Sequence, residues 1–222
     1  QTINGLSIND NFGISVAIND TGNIIVVGAE RADINGNNSG SVSVFSLDTN
    51  SQWIPLGNTI HGATSGDQLG HDVSISSFGN LIAVSSWKND NNGIDAGSVS
   101  VYELIGSSWN NRGQTIYGDN SNDRSGTSIS INSSGSHIAI GSSENDDNGI
   151  NSGHVRVYKF DGSNWLKVGL NIEGDRANEK SGSSVGINSD GSIVAIGSPS
   201  NDLNGHNSGK VKVMYWYGTS WV

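Results

Sequence analysis

The chain has 222 residues, and its 21 acidic side chains outnumber 11 basic ones, for a formal net charge of -10. An acidic chain without a basic cluster argues against nucleic acids and anionic membrane surfaces as partners. No apolar run approaches the roughly 20 residues that a membrane-spanning helix needs, and the absence of cysteine excludes disulfides and thiolate metal sites. We therefore expect no nucleic-acid partner and no membrane insertion.

Internal repeats organise the whole chain. Tryptophan recurs every 56 residues, and a glycine that opens a strand-like run recurs after 57, 56 and 56 residues. The positions are Trp53, Trp109, Trp165 and Trp221, and Gly13, Gly70, Gly126 and Gly182. Two markers in one register predict four copies of one unit. We place them at approximately residues 13–69, 70–125, 126–181, and 182–222 together with 1–12, within a single domain of residues 1–222.

Each unit contains the pattern of four short strands. In the first unit these are GISVAI (13–18), IIVVGA (24–29), SVSVF (41–45) and a segment that starts at Trp53 and ends in NTIHG (58–62). The first and third alternate apolar and polar residues, as half-buried strands do, and NDTGN between the first two is typical of a hairpin turn. No segment shows a helical period. An antiparallel four-stranded unit of this length, repeated, predicts an all-β fold, a β-propeller of four blades.

The ends of the chain suggest how the ring closes. Residues 1–5 (QTING) match the end of a fourth strand, residues 114–118 (QTIYG), and residues 220–222 match its start. We therefore expect the last blade to be shared between the N- and C-termini, which closes a four-bladed ring. Two alternatives stay open: a segment of a longer array, and two chains that join into an eight-bladed ring.

The unit resembles the FG-GAP repeat of integrin α-subunit propellers and of tandem repeats in secreted or surface proteins of marine microbes. Phe12-Gly13-x-Ser15-Val16, Val27-Gly28-Ala29 and Gly40-x-Val42-x-Val44-Phe45 carry the resemblance. It implies a propeller that is secreted or displayed at the cell surface and binds a protein or glycan partner, with self-assembly or flanking repeats. The family's calcium loop is not implied, because NDTG and its equivalents between the first two strands are too short and too poor in acids.

A different loop, between the second and third strands, repeats an Asp two residues before an Asn and a Gly. Its residues are Asp33 and Asn35, Asp90 and Asn92, Asp146 and Asn148, and Asp202 and Asn204. Alternating side-chain oxygens before a glycine turn suit Ca²⁺, but Asp and Asn also stabilise such turns without a metal. Calcium binding is one hypothesis and a structural turn is the other; no cofactor is expected to be required. A further loop that carries Asp10, Asp67, Asp123 and Glu179 is expected to be a surface connection.

Two tryptophans break the repeat, Trp87 and Trp216, and they are the candidates for ligand contact. The four repeated tryptophans are interpreted as residues that pack between blades, with sugar platforms as the alternative. Sequons at Asn19, Asn37 and Asn132 lie on predicted turns and are candidate glycosylation sites.

No catalytic motif is present. The five histidines, His61, His71, His137, His154 and His206, occupy unrelated repeat positions and form no ligand motif. The sequence therefore favours a non-enzymatic adhesion, interaction or structural module. The alternatives are a carbohydrate-binding, lectin-like propeller and an enzyme with a cross-blade site.

Overall fold

The computed structural model describes all residues, 1–222, as 18 strands in four antiparallel sheets, without a helix. Sheet 1 contains β1 (Val16–Ile18), β2 (Ile24–Ala29), β3 (Ser41–Leu47), β4 (Trp53–Pro55) and β5 (Ile60–His61). Sheet 2 contains β6 (Leu69–Ile75), β7 (Leu81–Ser86), β8 (Ser98–Ile105), β9 (Ser108–Asn111) and β10 (Ile116–Tyr117). Sheet 3 contains β11 (Ser128–Ile131), β12 (His137–Ser142), β13 (His154–Phe160), β14 (Trp165–Lys167) and β15 (Ile172–Glu173). Sheet 4 contains β16 (Ser184–Ile187), β17 (Ile193–Ser198) and β18 (Lys210–Tyr215). The all-β prediction is confirmed, and no helix is present that could span a membrane.

The first hairpin of each unit forms as its sequence predicts. In sheet 1, Val16 pairs with Val27 and Ile18 with Ile25, so the alternating residues of β1 fall in register with the apolar run of β2. The turn glycine Gly22 has a φ of 70°, a left-handed conformation that favours glycine. The Asn19 side chain accepts hydrogen bonds from the amides of Asn23 and Ile24 and fixes the turn.

The predicted fourth strand is two short strands. In sheet 1, β4 and β5 both pair with β3, at opposite ends of it, and sheets 2 and 3 repeat this arrangement. β4 ends at Pro55. Gly57, two residues later, has a φ of 76°, and this left-handed conformation interrupts the pairing with β3. The predicted number of strands per unit is therefore one too low in the first three sheets.

The core lies between neighbouring sheets. Apolar residues of sheets 1 and 2, such as Val42 and Val84, form one buried cluster, and sheets 2 and 3 form a second through Val101 and Ile140. A third cluster joins sheets 3 and 4. The indoles Trp109, Trp165 and Trp221 each donate Nε1–H to a backbone carbonyl of the preceding sheet, which supports their interpretation as packing residues.

The chain does not close a ring through its own termini. Sheet 4 has only three strands, and none of them comes from residues 1–5. The Gln1 side chain instead accepts a hydrogen bond from the amide of Trp53 in sheet 1, at 2.6 Å. Val211 on β18 is 69% exposed and Val16 on β1 is 66% exposed, because neither outer sheet has a neighbour on that side. The prediction of a last blade shared within one chain is therefore wrong.

Candidate functional site

The repeated Asp side chains of the proposed calcium loops are engaged in turns. Asp33 Oδ1 accepts a hydrogen bond from the backbone amide five residues later, at 2.7 Å, and Asp90, Asp146 and Asp202 repeat this contact. Such a bond is typical of an Asx-type turn. The geometry therefore supports the turn hypothesis over calcium binding for these loops.

The paired Asn side chains are also used within the fold. The amide Nδ2 of Asn35, Asn92 and Asn148 donates to the carbonyl of Gly62, Gly118 and Gly174, at 2.9, 2.7 and 2.7 Å. These glycines directly follow the short last strand of each sheet. Asn204 makes no such bond, because sheet 4 lacks that strand. The Asn residues thus fasten the loop to the sheet.

The sequons differ in accessibility. Asn19 and Asn132 are buried, and their side-chain amides donate hydrogen bonds to the Asn23 side chain and to the Ser189 carbonyl, which argues against glycosylation at both. Asn37 is exposed. Trp216 lies beside Trp221, with ring centroids 5.3 Å apart, in the outermost sheet.

The loop acids expected at the surface are buried in three of the four copies. Asp67, Asp123 and Glu179 are almost fully buried, and Asp67 and Glu179 accept hydrogen bonds from Asn89 and Asn201. Burial raises the pKa of both Asp67 and Asp123. These acids hold the loops between strands two and three, so the surface interpretation is wrong for them.

One face of the array is lined by four residues in a strained backbone conformation. Asn11, Gln68, Arg124 and Lys180 occupy equivalent positions two residues before the glycine that opens each unit, with φ between 51° and 56°. Left-handed backbone is costly for such residues and clusters at functional sites. All four side chains contact a residue that lies one or two positions after the end of the second strand of a sheet, namely Glu30, Trp87 or Glu144.

A Glu–His pair lies at this face between sheets 1 and 2. His71 Nδ1 lies 2.8 Å from Glu30 Oε2, and the Glu30 carboxylate is nearly buried. Asn11 donates a further hydrogen bond to Glu30. The hydrogen bond from His71 holds the pKa of Glu30 below its ordinary value, against the effect of burial. Glu30 therefore stays ionised and fixes the imidazole.

Trp87 joins this pair to a cation. The His71 ring stacks on the indole with centroids 4.2 Å apart and an interplanar angle of 15°, and the Arg124 guanidinium lies 5.0 Å from the same ring. The indole donates Nε1–H to Gln68. Arg124 also pairs with Glu144, which Lys180 approaches to 3.7 Å. The predicted ligand residue Trp87 is thus brought to an ionisable site, where its ring organises the two basic side chains.

The sequence contained a signal for His71 that the repeat analysis missed. At its position the other copies have Ile14, Thr127 and Ser183, and at the adjacent Asp72 they have serine. Asp72 accepts hydrogen bonds from Ser15 in sheet 1 and from the Ile129 amide in sheet 3. Its pKa is raised by burial. Departures from the repeat, rather than the repeated residues, mark this site.

A second ionisable cluster lies on sheet 3 and has metal-ligand composition. His154 faces Glu173 across the β13–β15 pair, and Asp147 reaches them from the loop before β13. Burial lowers the pKa of His154 to about 3, and the nearby Arg156 adds to this effect. The imidazole is therefore neutral at ordinary pH, which is the form that binds metals. None of these three residues was a predicted site.

Solved structures with this fold include enzymes. A candidate 6-phosphogluconolactonase from Bacteroides uniformis ATCC 8492 matches with a TM-score of 0.60 at 11% identity, over 95% of this chain and 55% of that chain. The periplasmic gluconolactonase PpgL from Pseudomonas aeruginosa matches with a TM-score of 0.61 at 12% identity, over 94% and 55%. Hydrazine synthase from Kuenenia stuttgartiensis matches with a TM-score of 0.58 at 12% identity, over 100% and 51%. The chain spans about half the length of these structures.

The likeness places the chain among propeller-like all-β folds. The prediction of a non-enzymatic adhesion, interaction or structural module was wrong in excluding catalysis, because two of the structures that share the fold are lactonase-type proteins. A comparison with curated protein sequences finds no match. Residues 5–45 match the family model described as FG-GAP repeat, which confirms the resemblance that the sequence motifs indicated.

Proposed function

We propose that the four sheets are successive propeller blades and that the face between sheets 1, 2 and 3 hydrolyses a cyclic ester of a sugar acid. The observation that carries this proposal is the Glu30–His71 pair at 2.8 Å, stacked on Trp87 beside Arg124. This function corresponds to the enzyme alternative with a cross-blade site. Two structural neighbours are named as a 6-phosphogluconolactonase and a gluconolactonase, and they suggest the substrate class, a lactone of gluconic acid.

His71 is the general base in this mechanism. Its Nδ1–H donates to the Glu30 carboxylate, and the remaining nitrogen, Nε2, is left to accept a proton from water. The resulting hydroxide attacks the lactone carbonyl, and the ring C–O bond breaks as the tetrahedral intermediate collapses. The same imidazole returns the proton to the leaving ring oxygen, so the product is the open hydroxy acid.

Arg124 supplies positive charge where the substrate becomes negative. Its guanidinium is half-buried and pairs with one oxygen of Glu144 at 3.1 Å, and Lys180 and Lys88 lie on the same face. A cation that is fixed before the reaction stabilises the oxyanion of the intermediate. The same basic side chains would favour a phosphorylated lactone, in a chain whose overall charge is negative.

The test is hydrolysis of D-glucono-1,5-lactone and its 6-phosphate, measured as the release of protons at constant pH. We expect His71→Gln to lower kcat by about 10²- to 10⁴-fold. The matched control is His206→Gln, because His206 also lies near a carboxylate, that of Asp202, but is exposed and belongs to a loop of sheet 4. Hydrolysis by the unchanged protein no faster than the spontaneous rate, or a His71→Gln variant as active as the His206→Gln variant, would contradict the proposal.

A further inference from the structure

Three side chains of sheet 3 converge without bonding to one another. His154 Nδ1 lies 3.7 Å from Asp147 Oδ2 and 3.9 Å from Glu173 Oε2, and the three ligand atoms all lie within 4.8 Å of one another. These distances are too long for hydrogen bonds. They suit donor atoms that share one cation, since two ligands at about 2.1 Å from a tetrahedral ion lie about 3.4 Å apart.

The buried imidazole at the centre has no partner in the protein. His154 is fully buried, and neither ring nitrogen makes a hydrogen bond; Glu173 Oε2 is likewise buried and unpaired. Leaving a buried polar group unpaired is costly, so buried polar atoms of native proteins almost always have a partner. The two unpaired atoms, His154 Nδ1 and Glu173 Oε2, face each other across the gap. From this geometry we propose that Asp147, His154 and Glu173 bind a divalent transition-metal ion.

The ligand set indicates which ion. One imidazole nitrogen and two carboxylate oxygens suit Zn²⁺ or Mn²⁺, whereas Ca²⁺ prefers six to eight oxygens. Three protein ligands leave a position open for water. The site therefore differs in chemistry from the oxygen-only calcium loops that the sequence suggested.

The site is specific to the third unit. At the position of His154 the other units have Ser41, Ser98 and Lys210, and none of them combines a histidine there with acids at the two other positions. The fold repeats without these side chains in sheets 1 and 2, so the strand pairing does not require them. A ligand does.

The test is titration of metal-stripped protein with Zn²⁺ and Mn²⁺ by calorimetry, with the visible spectrum of the Co²⁺ form as a second readout. We expect one ion per chain, and loss of a ligand in His154→Gln or Glu173→Gln should weaken binding by more than about 10-fold. His206→Gln is the control, because its exposed imidazole lies 3.6 Å from a single carboxylate, Asp202. Asp147→Asn changes a partly exposed loop residue and gives the same test without touching the core.

No heat and no Co²⁺ spectrum in the unchanged protein would overturn the metal site. The metal site would also be overturned if the Asp147→Asn and Glu173→Gln variants bound the metal as tightly as the His206→Gln control does.

Discussion

The third strands of sheets 3 and 4 have the same sequence pattern and opposite surroundings. Val155 and Val157 of β13 are 0% and 1% exposed, whereas the equivalent Val211 and Val213 of β18 are 69% and 47% exposed. Both strands form, and each pairs with the second strand of its sheet in the same register. The difference shows that local sequence determines the strand, while burial depends on whether another sheet covers it. Stability should therefore be concentrated in the interior sheets.

The largest expected contrast lies between equivalent tryptophans. Trp165 in sheet 3 is buried, contacts Phe160 at 5.2 Å between centroids and bonds to the preceding sheet, whereas Trp53 in sheet 1 has no preceding sheet. We expect Trp165→Ala to lower the free energy of unfolding by about 3–5 kcal/mol. Trp53→Ala should cost less than half as much. Urea unfolding followed by circular dichroism measures both, and equal costs would show that the ends are as well packed as the interior.

Whether a feature of the fold or of the site could be predicted from the sequence depends on how close in the chain the interacting residues lie. The hairpins were predictable because Gly22 and the alternation of β1 act within about ten residues. Ring closure was not predictable, since the contact of Gln1 with Trp53 in sheet 1 joins residues 52 apart in the chain. The Asp33-type loops were ambiguous because the bond from Asn35 to Gly62 joins residues 27 apart. His71 and His154 were missed because their partners, Glu30 and Glu173, become neighbours only through sheet pairing and stacking.

A contact that joins an end sheet to the interior should depend on pH. Glu30 of sheet 1 accepts a hydrogen bond from His71 of sheet 2, and this bond lowers its pKa from the ordinary 4.5. A carboxylate with a lowered pKa in the folded state stabilises the fold above its unfolded pKa, and this stabilisation is lost as the pH falls through the folded value. We expect Glu30→Gln to cost about 1–2 kcal/mol at pH 7 and progressively less below pH 4.5. The midpoints of urea unfolding between pH 3 and pH 7 measure this cost. The control is Glu103→Gln, because Glu103 of sheet 2 forms an ion pair with Arg112 and is partly exposed. A cost that does not change with pH would assign the effect to packing.

The smallest expected contrast isolates a single hydrogen bond. Asn148 in sheet 3 donates to the Gly174 carbonyl at 2.7 Å, whereas Asn204, its equivalent in sheet 4, has no short strand to bond to. Both loops share the same Asp turn, because Asp146 and Asp202 each accept the amide five residues later. We therefore expect Asn148→Ala to cost about 1 kcal/mol and Asn204→Ala less than about 0.5 kcal/mol in dilute protein. Thermal unfolding of the two variants beside the unchanged protein measures both costs, and equal costs would show that the bond from Asn148 to Gly174 contributes nothing to stability.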